Sequence, residues 1–400
     1  MTIVGILFLI CLWLRLDWLI GLHSLKRQRA SSIYPWRSGN LTFYDDGIEW
    51  MKTLELDCIQ AKESICISFY IIQPDEVGRR LFTLLKERAQ EGVHVRLLVD
   101  ALGSHKMKKW LKPLQDEGIE VGMSRPPIFK GSLFALQRRN HRKIAIVDGV
   151  VAHIGGFNIG REYVHLDPVL SPWRDYHLRF TGEGVQDALM EFEIDWKREF
   201  DETSRLKKID VAEESVEKKE KMTSKHQIVP SEPIDLEAFM ISLFNQAQSS
   251  IFIGTPYFIP TKAVFSSLIK RLEEGIKLTI LVPGTPDHVL VQPASYRYLR
   301  ELIDCGAQVF HFQNGFYHAK ALLIDQTLGD IGTANFDRRS LLINDEINVL
   351  TDDPAIIAQL LASIDKDLEH SVLLTKEQIK ANGMVDVTKE WLARSISHLL

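Results

Sequence analysis

Behind an apolar leader, the chain alternates short aliphatic, β-favouring runs with stretches whose apolar positions recur at helical spacing. Ile65 to Tyr70 is one such run. Val77, Leu81, Leu84 and Leu85 then share one face of a helix that Gly92 ends, and Val93 to Asp100 makes the next run. The later half has the same order. Ile251 to Gly254 is a strand, Val264, Leu268, Ile269 and Leu272 form a helix stripe that stops at Gly275, and Leu278 to Val282 is the next strand. Strand-helix-strand units predict parallel pairing with right-handed crossovers, and strands this rich in Val, Ile and Leu predict sheets buried on both faces. The expected fold class is therefore α/β, with two tandem, pseudo-twofold-related domains built on mixed, largely parallel sheets. The first domain is expected over residues 40–200 and the second over 231–400. Residues 201–230, rich in Glu and Lys at the start, read as a charged linker. The tail from Thr388 to Leu400 has a helical pattern to which no chemistry attaches.

The leader, residues 1–22, is an unbroken apolar run from Ile3 to Leu14, interrupted by Arg15 and Asp17 and resumed from Trp18 to Leu22. It has no basic start and no small-residue cleavage pattern, so it is expected to be a retained hydrophobic helix that anchors the chain to a membrane. It is long enough either to span or to lie on the bilayer surface. Lys26, Arg27 and Arg29 follow it, which predicts a cell-membrane protein with its catalytic domains on the cytoplasmic side.

A net charge of -5 argues against a nucleic-acid partner, which would ask for a broad basic groove. Cys11, Cys58, Cys66 and Cys305 lack metal-ligand spacing and read as reduced residues.

The chemistry concentrates in one motif that occurs twice. His141, Lys143 and Asp148 are followed by Gly155, Gly156 and Asn158; His318, Lys320 and Asp325 are followed, at identical offsets, by Gly332, Thr333 and Asn335. Residues two apart on a strand share a face, so each His and Lys point the same way. Two halves related by a twofold axis would bring both pairs to one cleft. That set suits phosphodiester chemistry. One neutral imidazole attacks phosphorus to give a phospho-histidine, and the other, protonated, serves the leaving oxygen. Lys143, Lys320, Asn158 and Asn335 would hold the phosphate oxygens. Asp148 and Asp325 belong to the catalytic motif, but each ends a strand at a turn and is expected to act through structure, such as a salt bridge that positions the motif. Asp175 and Glu346, each about thirty residues past a motif histidine, are candidates to set its tautomer and charge. Without a carboxylate cluster, no metal and no cofactor are expected.

Arg138, Arg139 and Arg142 beside the first motif, with the loop from Pro126 to Phe134, could either meet an anionic bilayer or pack beneath the site. His153, His165, His177 and His311 have no matched counterpart and read as structural.

The paired His-x-Lys-x4-Asp motifs resemble those of the phospholipase D superfamily, over nearly the whole chain past Asn40. The finer pattern is similar to bacterial cardiolipin synthases. It lies in Gly155 to Gly160 with Tyr163, in Trp173-Arg174-Asp175 with His177, in Thr255 to Pro260, and in Asn335 to Ser340 with Asn344 and Glu346. The resemblance implies two phospholipase D-like domains that condense two phosphatidylglycerols into cardiolipin and glycerol, with His141 as nucleophile and His318 as acid/base. The spacing alone does not separate these two roles. A phospholipase D-type hydrolase, acting on lipid or nucleic acid, is the alternative. Two departures stand out. Many relatives have Ser where this chain has Gly156 and Thr333, and relatives often carry two spans where this leader has room for one.

Overall fold

The computed structural model describes residues 2–28, 33–127, 133–200, 224–231, 235–285, 291–379 and 389–390. The acidic and basic stretch expected as a linker, the centre of the Pro126 to Phe134 loop and most of the helical tail lie outside the described residues.

The first half contributes β1 (Arg37–Tyr44), β2 (Ser64–Phe69), β3 (His94–Asp100), β4 (Glu120–Ser124), β5 (Lys143–Val147), β6 (Val151–Gly155), β7 (Trp173–Arg174) and β8 (His177–Gly182). The second contributes β9 (Ser224–Pro230), β10 (Ser250–Gly254), β11 (Phe258–Ile259), β12 (Lys277–Pro283), β13 (Gln308–Phe312), β14 (Phe316–Tyr317), β15 (Ala321–Ile324), β16 (Leu328–Gly332), β17 (Phe336–Asp337), β18 (Ile347–Thr351) and β19 (Ser371–Leu373). Fifteen of these strands form one continuous sheet. Outward from its centre, one half runs β1-β8-β6-β5-β2-β3-β4 and the other β9-β18-β16-β15-β10-β12-β13, with β19 added at the far edge. The two orders correspond strand for strand. β1 and β9 pair antiparallel across the middle, with Gly39 opposite Ser224. The pseudo-twofold axis thus runs through a shared sheet, and the two repeats are one fused body.

That corrects two expectations. The sheet is mixed, but only β2-β3, β3-β4, β10-β12 and β12-β13 are parallel, and every other neighbour pair in it is antiparallel. The crossover helices Glu76–Gln90 and Lys262–Glu273 explain the β2-β3 and β10-β12 pairs, and Leu111–Asp116 and Val291–Asp304 lie in the crossovers of the other two. The motif strands return by tight turns instead, which forces antiparallel neighbours. The supposed linker also ends early. β9 lies inside residues 201–230, because His226 and Ile228 alternate with polar residues and are buried at the centre of the sheet.

Local chemistry explains the elements. Asp75 and Thr261 cap the two crossover helices through their side-chain oxygens. Gly92 and Gly275, at φ 95° and 87°, close them in the left-handed region that a side chain disfavours. Helices Gly47–Gln60 and Glu76–Gln90 pack on the first half, and Leu236–Gln246, Lys262–Glu273 and Val291–Asp304 on the second. A third cluster joins both halves: Ile144, Tyr176 and Trp196 pack with Ala321, Ile347 and Leu360. Burial on this scale across the twofold means that neither half closes its core alone.

Residues Thr2–Gln28 form a helix. It lies against the short helix Leu133–Gln137, where Leu25 and Phe134 are buried with Ile343, and Trp18, Leu22 and Leu342 pack around them. Asp17, the acid within the apolar leader, accepts the Phe134 amide at 2.7 Å. A side chain at Gly21 would collide with the Phe134 ring. Among the described residues, no helix is long and apolar enough to cross a membrane.

Candidate active site

The two motifs enter the site by the same device. Each motif histidine precedes a central strand, and its backbone reaches across the twofold axis. His141 donates its amide to the Asp345 carbonyl at 2.9 Å, and His318 donates its own to the Arg174 carbonyl at 2.7 Å. The residue after each acceptor is the carboxylate that holds the ring. His141 Nδ1 lies 2.8 Å from Glu346 Oε2, and His318 Nδ1 lies 2.6 Å from Asp175 Oδ2. The carboxylates found by spacing are thus histidine partners, but each serves the histidine of the opposite half. Sequence distance pointed to the same half because it carries no information about a twofold exchange.

Lys143 donates to the His141 carbonyl at 2.8 Å and stands 5.4 Å from the Tyr70 ring centre. Lys320 lies 3.1 Å from His318 Nε2 and 3.6 Å from Asp175. Aromatic rings wall both imidazoles: Tyr70 meets His141 and Trp173 meets His318, each with centroids 4.8 Å apart. Tyr70 had no sequence signal beyond its place at a strand end.

Electrostatics ties the four side chains to one site. Burial is the main influence on both imidazoles, and it pushes His141 down to about 4 and His318 down to about 3. Each opposite lysine adds to this: Lys320 lowers His141, and Lys143 lowers His318. Burial, and then Lys320, brings Lys143 down to about 7. Such mutual influence requires both motifs to share one cleft. Burial raises Glu346 and Asp175, but their partners outweigh it, His141 first for Glu346 and Lys320 first for Asp175, so both carboxyls stay low. The result is neutral imidazole against ionised carboxylate, so each Nδ1 carries the proton and donates it, leaving Nε2 as the reactive atom.

The halves also differ at the residue after the motif glycine. Thr333 Oγ1 donates to Glu346 Oε2 at 2.6 Å and accepts the Ile347 amide at 2.9 Å. Its counterpart is Gly156, where a Cβ would lie 1.8 Å from Asp175 Oδ1. Asp175 therefore lacks a hydroxyl donor, and the space that would hold one is taken by the carboxylate itself.

The motif aspartates sit at strand-end turns, as their place in the sequence suggests, and act there on backbone amides. Asp148 follows the far end of its strand, five residues beyond Lys143, or roughly 16 Å at about 3.3 Å per residue. It accepts the amides of Lys62, Glu63 and Ser64 at 2.8–2.9 Å. Asp325 accepts those of Gln248, Ser249 and Ser250 at 2.7–2.9 Å. Both carboxylates are spent on backbone amides, and among the described residues neither makes a salt bridge. Each holds the start of the neighbouring strand from a turn at φ 52° or 51°. Asn158 is engaged by the Ile71 amide and the Tyr163 hydroxyl, and Asn335 by Asp337, so these amides brace loops at the rim of the site.

The arginines beside the first motif are buried in ion pairs, neither solvated nor free to meet lipid. Arg139 bonds Asp100 at 3.1 Å, Arg142 meets Glu191 at 2.8 Å and Asp195 at 3.1 Å, and Arg138 meets Asp345 at 2.8 Å. Arg125 also clamps Asp345, through two contacts of 2.7 and 2.9 Å. Asp345 was not singled out in the sequence, yet its own carbonyl fixes the His141 amide and the next residue, Glu346, orients the ring. His153 bonds Asp57 at 2.8 Å, and His177 lies buried against Trp50, both as framework.

Comparison with known proteins agrees with this geometry. The family model described as cardiolipin synthase, PLD-like domain, matches residues 56–167 and 240–368, one stretch in each half. The chain is 36% identical to the minor cardiolipin synthase ClsB of Bacillus subtilis, across 100% of this chain and 98% of that one. It is 34% identical to the major cardiolipin synthase ClsA of the same organism, over 89% of this chain and 74% of that one. Among solved structures, it is similar to a phosphatidylserine synthase of Haemophilus influenzae, with a TM-score of 0.68, 17% identity, and coverage of 95% of this chain and 97% of that one. At this identity, that likeness concerns the fold.

Proposed function

The chain belongs to the phospholipase D-like family of cardiolipin synthases, and we propose that it condenses two phosphatidylglycerols into cardiolipin and glycerol through a phosphatidyl-histidine. The observation that carries this reading is the pair of imidazoles, each held at Nδ1 by a carboxylate of the other half, with two lysines in the same cleft.

His141 Nε2 attacks the phosphorus of the first phosphatidylglycerol. The bond from phosphorus to the head-group glycerol oxygen breaks, and that oxygen takes a proton from His318 Nε2. A hydroxyl of the second phosphatidylglycerol then attacks phosphorus and gives its proton to His318, and the phosphorus-nitrogen bond breaks to free neutral His141. Lys143 and Lys320 hold the non-bridging oxygens, where charge builds. The arriving phosphate also reverses the resting bias. Its negative charge offsets the burial and lysine effects on His318, which lets that ring hold the proton it must donate. Lys320, 3.1 Å from His318 Nε2, turns to the phosphate. Thr333 beside Glu346 sets His141 apart from His318, and the nucleophile is assigned to His141 because the family its motif resembles uses the N-terminal motif histidine.

Membrane association belongs to the same reading. Leu12, Trp13, Leu16, Leu19 and Ile20 are exposed on the helix Thr2–Gln28, while its other face packs on the protein. That division suits a helix lying in the bilayer surface.

Purified protein given phosphatidylglycerol vesicles and chelator should yield cardiolipin and one glycerol per cardiolipin. Phosphatidic acid as the product would replace the transferase by a hydrolase. Loss of turnover with chelator would overturn the metal-free mechanism.

A further inference from the structure

Outside the catalytic cleft, helices Lys262–Glu273 and Val291–Asp304 enclose a groove of about 590 Å³ on the second half. Its lining combines an aromatic floor with a cationic rim. Phe265 and Tyr298 meet edge to face, with centroids 5.1 Å apart. Lys262, Lys270, Arg297 and Arg338 supply four cations, against two carboxylates, Glu273 and Glu301. Lys270 approaches Glu274 at 3.8 Å, but Lys262, Arg297 and Arg338 form no ion pair among the described residues. Arg297 instead lies 4.6 Å over the Tyr298 ring. Arg338 reaches the Tyr298 hydroxyl at 3.4 Å, and its buried Nε has no partner among the described residues. A buried guanidinium N–H without an acceptor is costly, and an anion in the groove would satisfy it.

We infer that this groove binds the phosphate of an anionic glycerophospholipid, as a second lipid site apart from the catalytic histidines. Position supports a lipid. Arg338 opens the short helix Arg338–Leu342, and Leu342 at its other end packs against the cluster that seats the N-terminal helix. The groove and the seat of the N-terminal helix therefore lie at the two ends of one short helix, and that N-terminal helix carries the exposed Leu12, Trp13, Leu16, Leu19 and Ile20. Apolar side chains beside a basic, aromatic-floored groove make a surface that an anionic bilayer fits, since the tails meet the first and a head-group phosphate the second. Phe265, Ile269 and Tyr298 give the glycerol and the first methylenes something apolar to lie on. The inference rests on the proposed function only for the expectation that the lipid is the substrate class.

The test uses the full chain carrying His141→Ala, so that no lipid is consumed, and sedimentation with vesicles of phosphatidylcholine alone or mixed equally with phosphatidylglycerol. Lys262→Glu with Arg297→Glu should weaken binding to the mixed vesicles by about tenfold or more, at roughly fivefold per basic residue near an anionic surface. Binding to phosphatidylcholine and the circular dichroism melt should stay as before. Arg338→Gln should show the same selectivity with a smaller loss. Unchanged binding to the mixed vesicles, or equal loss on both kinds, overturns the site. Calorimetric binding of inorganic phosphate that the charge reversal abolishes, with vesicle binding intact, would assign the groove to a soluble phosphate and likewise overturn the lipid. The transfer reading fails separately. If the wild-type chain makes no cardiolipin while the reversal still removes phosphatidylglycerol selectivity, the groove stands and the catalytic proposal falls.

Discussion

The hydroxyl of Thr333 donates at 2.6 Å to the same Glu346 oxygen that holds His141. That contact has no counterpart beside His318, because the first half offers only Gly156 in its place. Thr333→Val should lower the rate of cardiolipin formation by about tenfold, in line with one hydrogen bond to a charged group. Thr333→Ser should restore it. If Val costs nothing, or Ser fails to rescue, the hydroxyl has no part in orienting Glu346.

The opposite carboxylate controls the other histidine. Asp175 raises His318 against the stronger lowering by burial and Lys320. Removing its charge in Asp175→Asn takes away that support, so His318 holds a proton only at lower pH. The rate should fall by about 10²–10⁴, as for loss of a general acid, and its alkaline limb should move to lower pH. A rate loss with an unmoved pH profile would leave Asp175 a purely structural role.

The two histidines are separable by trapping. With radiolabelled phosphatidylglycerol, His318→Ala should still form a lipid-linked phosphorus on His141, slowly, and then stall. His141→Ala should trap none. The reverse pattern exchanges nucleophile and acid.

Lys143 carries a stability cost for its function. Burial and Lys320 bring it down to about 7, against 10.5 for a free lysine. Below about pH 7 both folded and unfolded chains hold the proton, and the folded chain bears the whole penalty. As pH rises from 7 towards 10.5 the folded chain has shed the proton and the unfolded chain still binds it, so stability climbs. Lys143→Met should raise the melting temperature at pH 6 by a few degrees, roughly the effect of one relieved buried charge, and abolish transfer. The gain should shrink towards pH 10. A destabilised variant at pH 6 would show that Lys143 is already compensated.

Asp325 tests the structural reading of the motif aspartates. Its carboxylate ties down three amides at the start of β10. Asp325→Ala should cost about 2 kcal/mol of stability, the scale of hydrogen bonds to a charged group. Turnover per folded molecule should stay near wild type. A large loss of turnover without a stability change would return Asp325 to the chemistry.

Much of this was legible before folding. Strand and helix stripes were placed to within a residue or two, since burial imposes periods that composition displays. The paired motifs marked His141, Lys143, His318 and Lys320, because residues two apart on a strand must share a face. Residues such as Tyr70 and Asp345 left no such trace, for each becomes part of the site only through what lies beside it in space.

Sequence by itself determined the repeat, the reactive side chains and the two carboxylates that serve them. Tertiary structure alone decided that the repeats fuse into one sheet, and that each carboxylate crosses the axis to the other half's histidine. It also decided which amides Asp148 and Asp325 hold, and set Thr333 against Glu346. The physical reason is that local periodicity depends on neighbours along the chain, whereas pairing across a twofold axis depends on which surfaces bury each other. Residues 143 positions apart, such as Asp175 and His318, have no bond-level relation that spacing can encode.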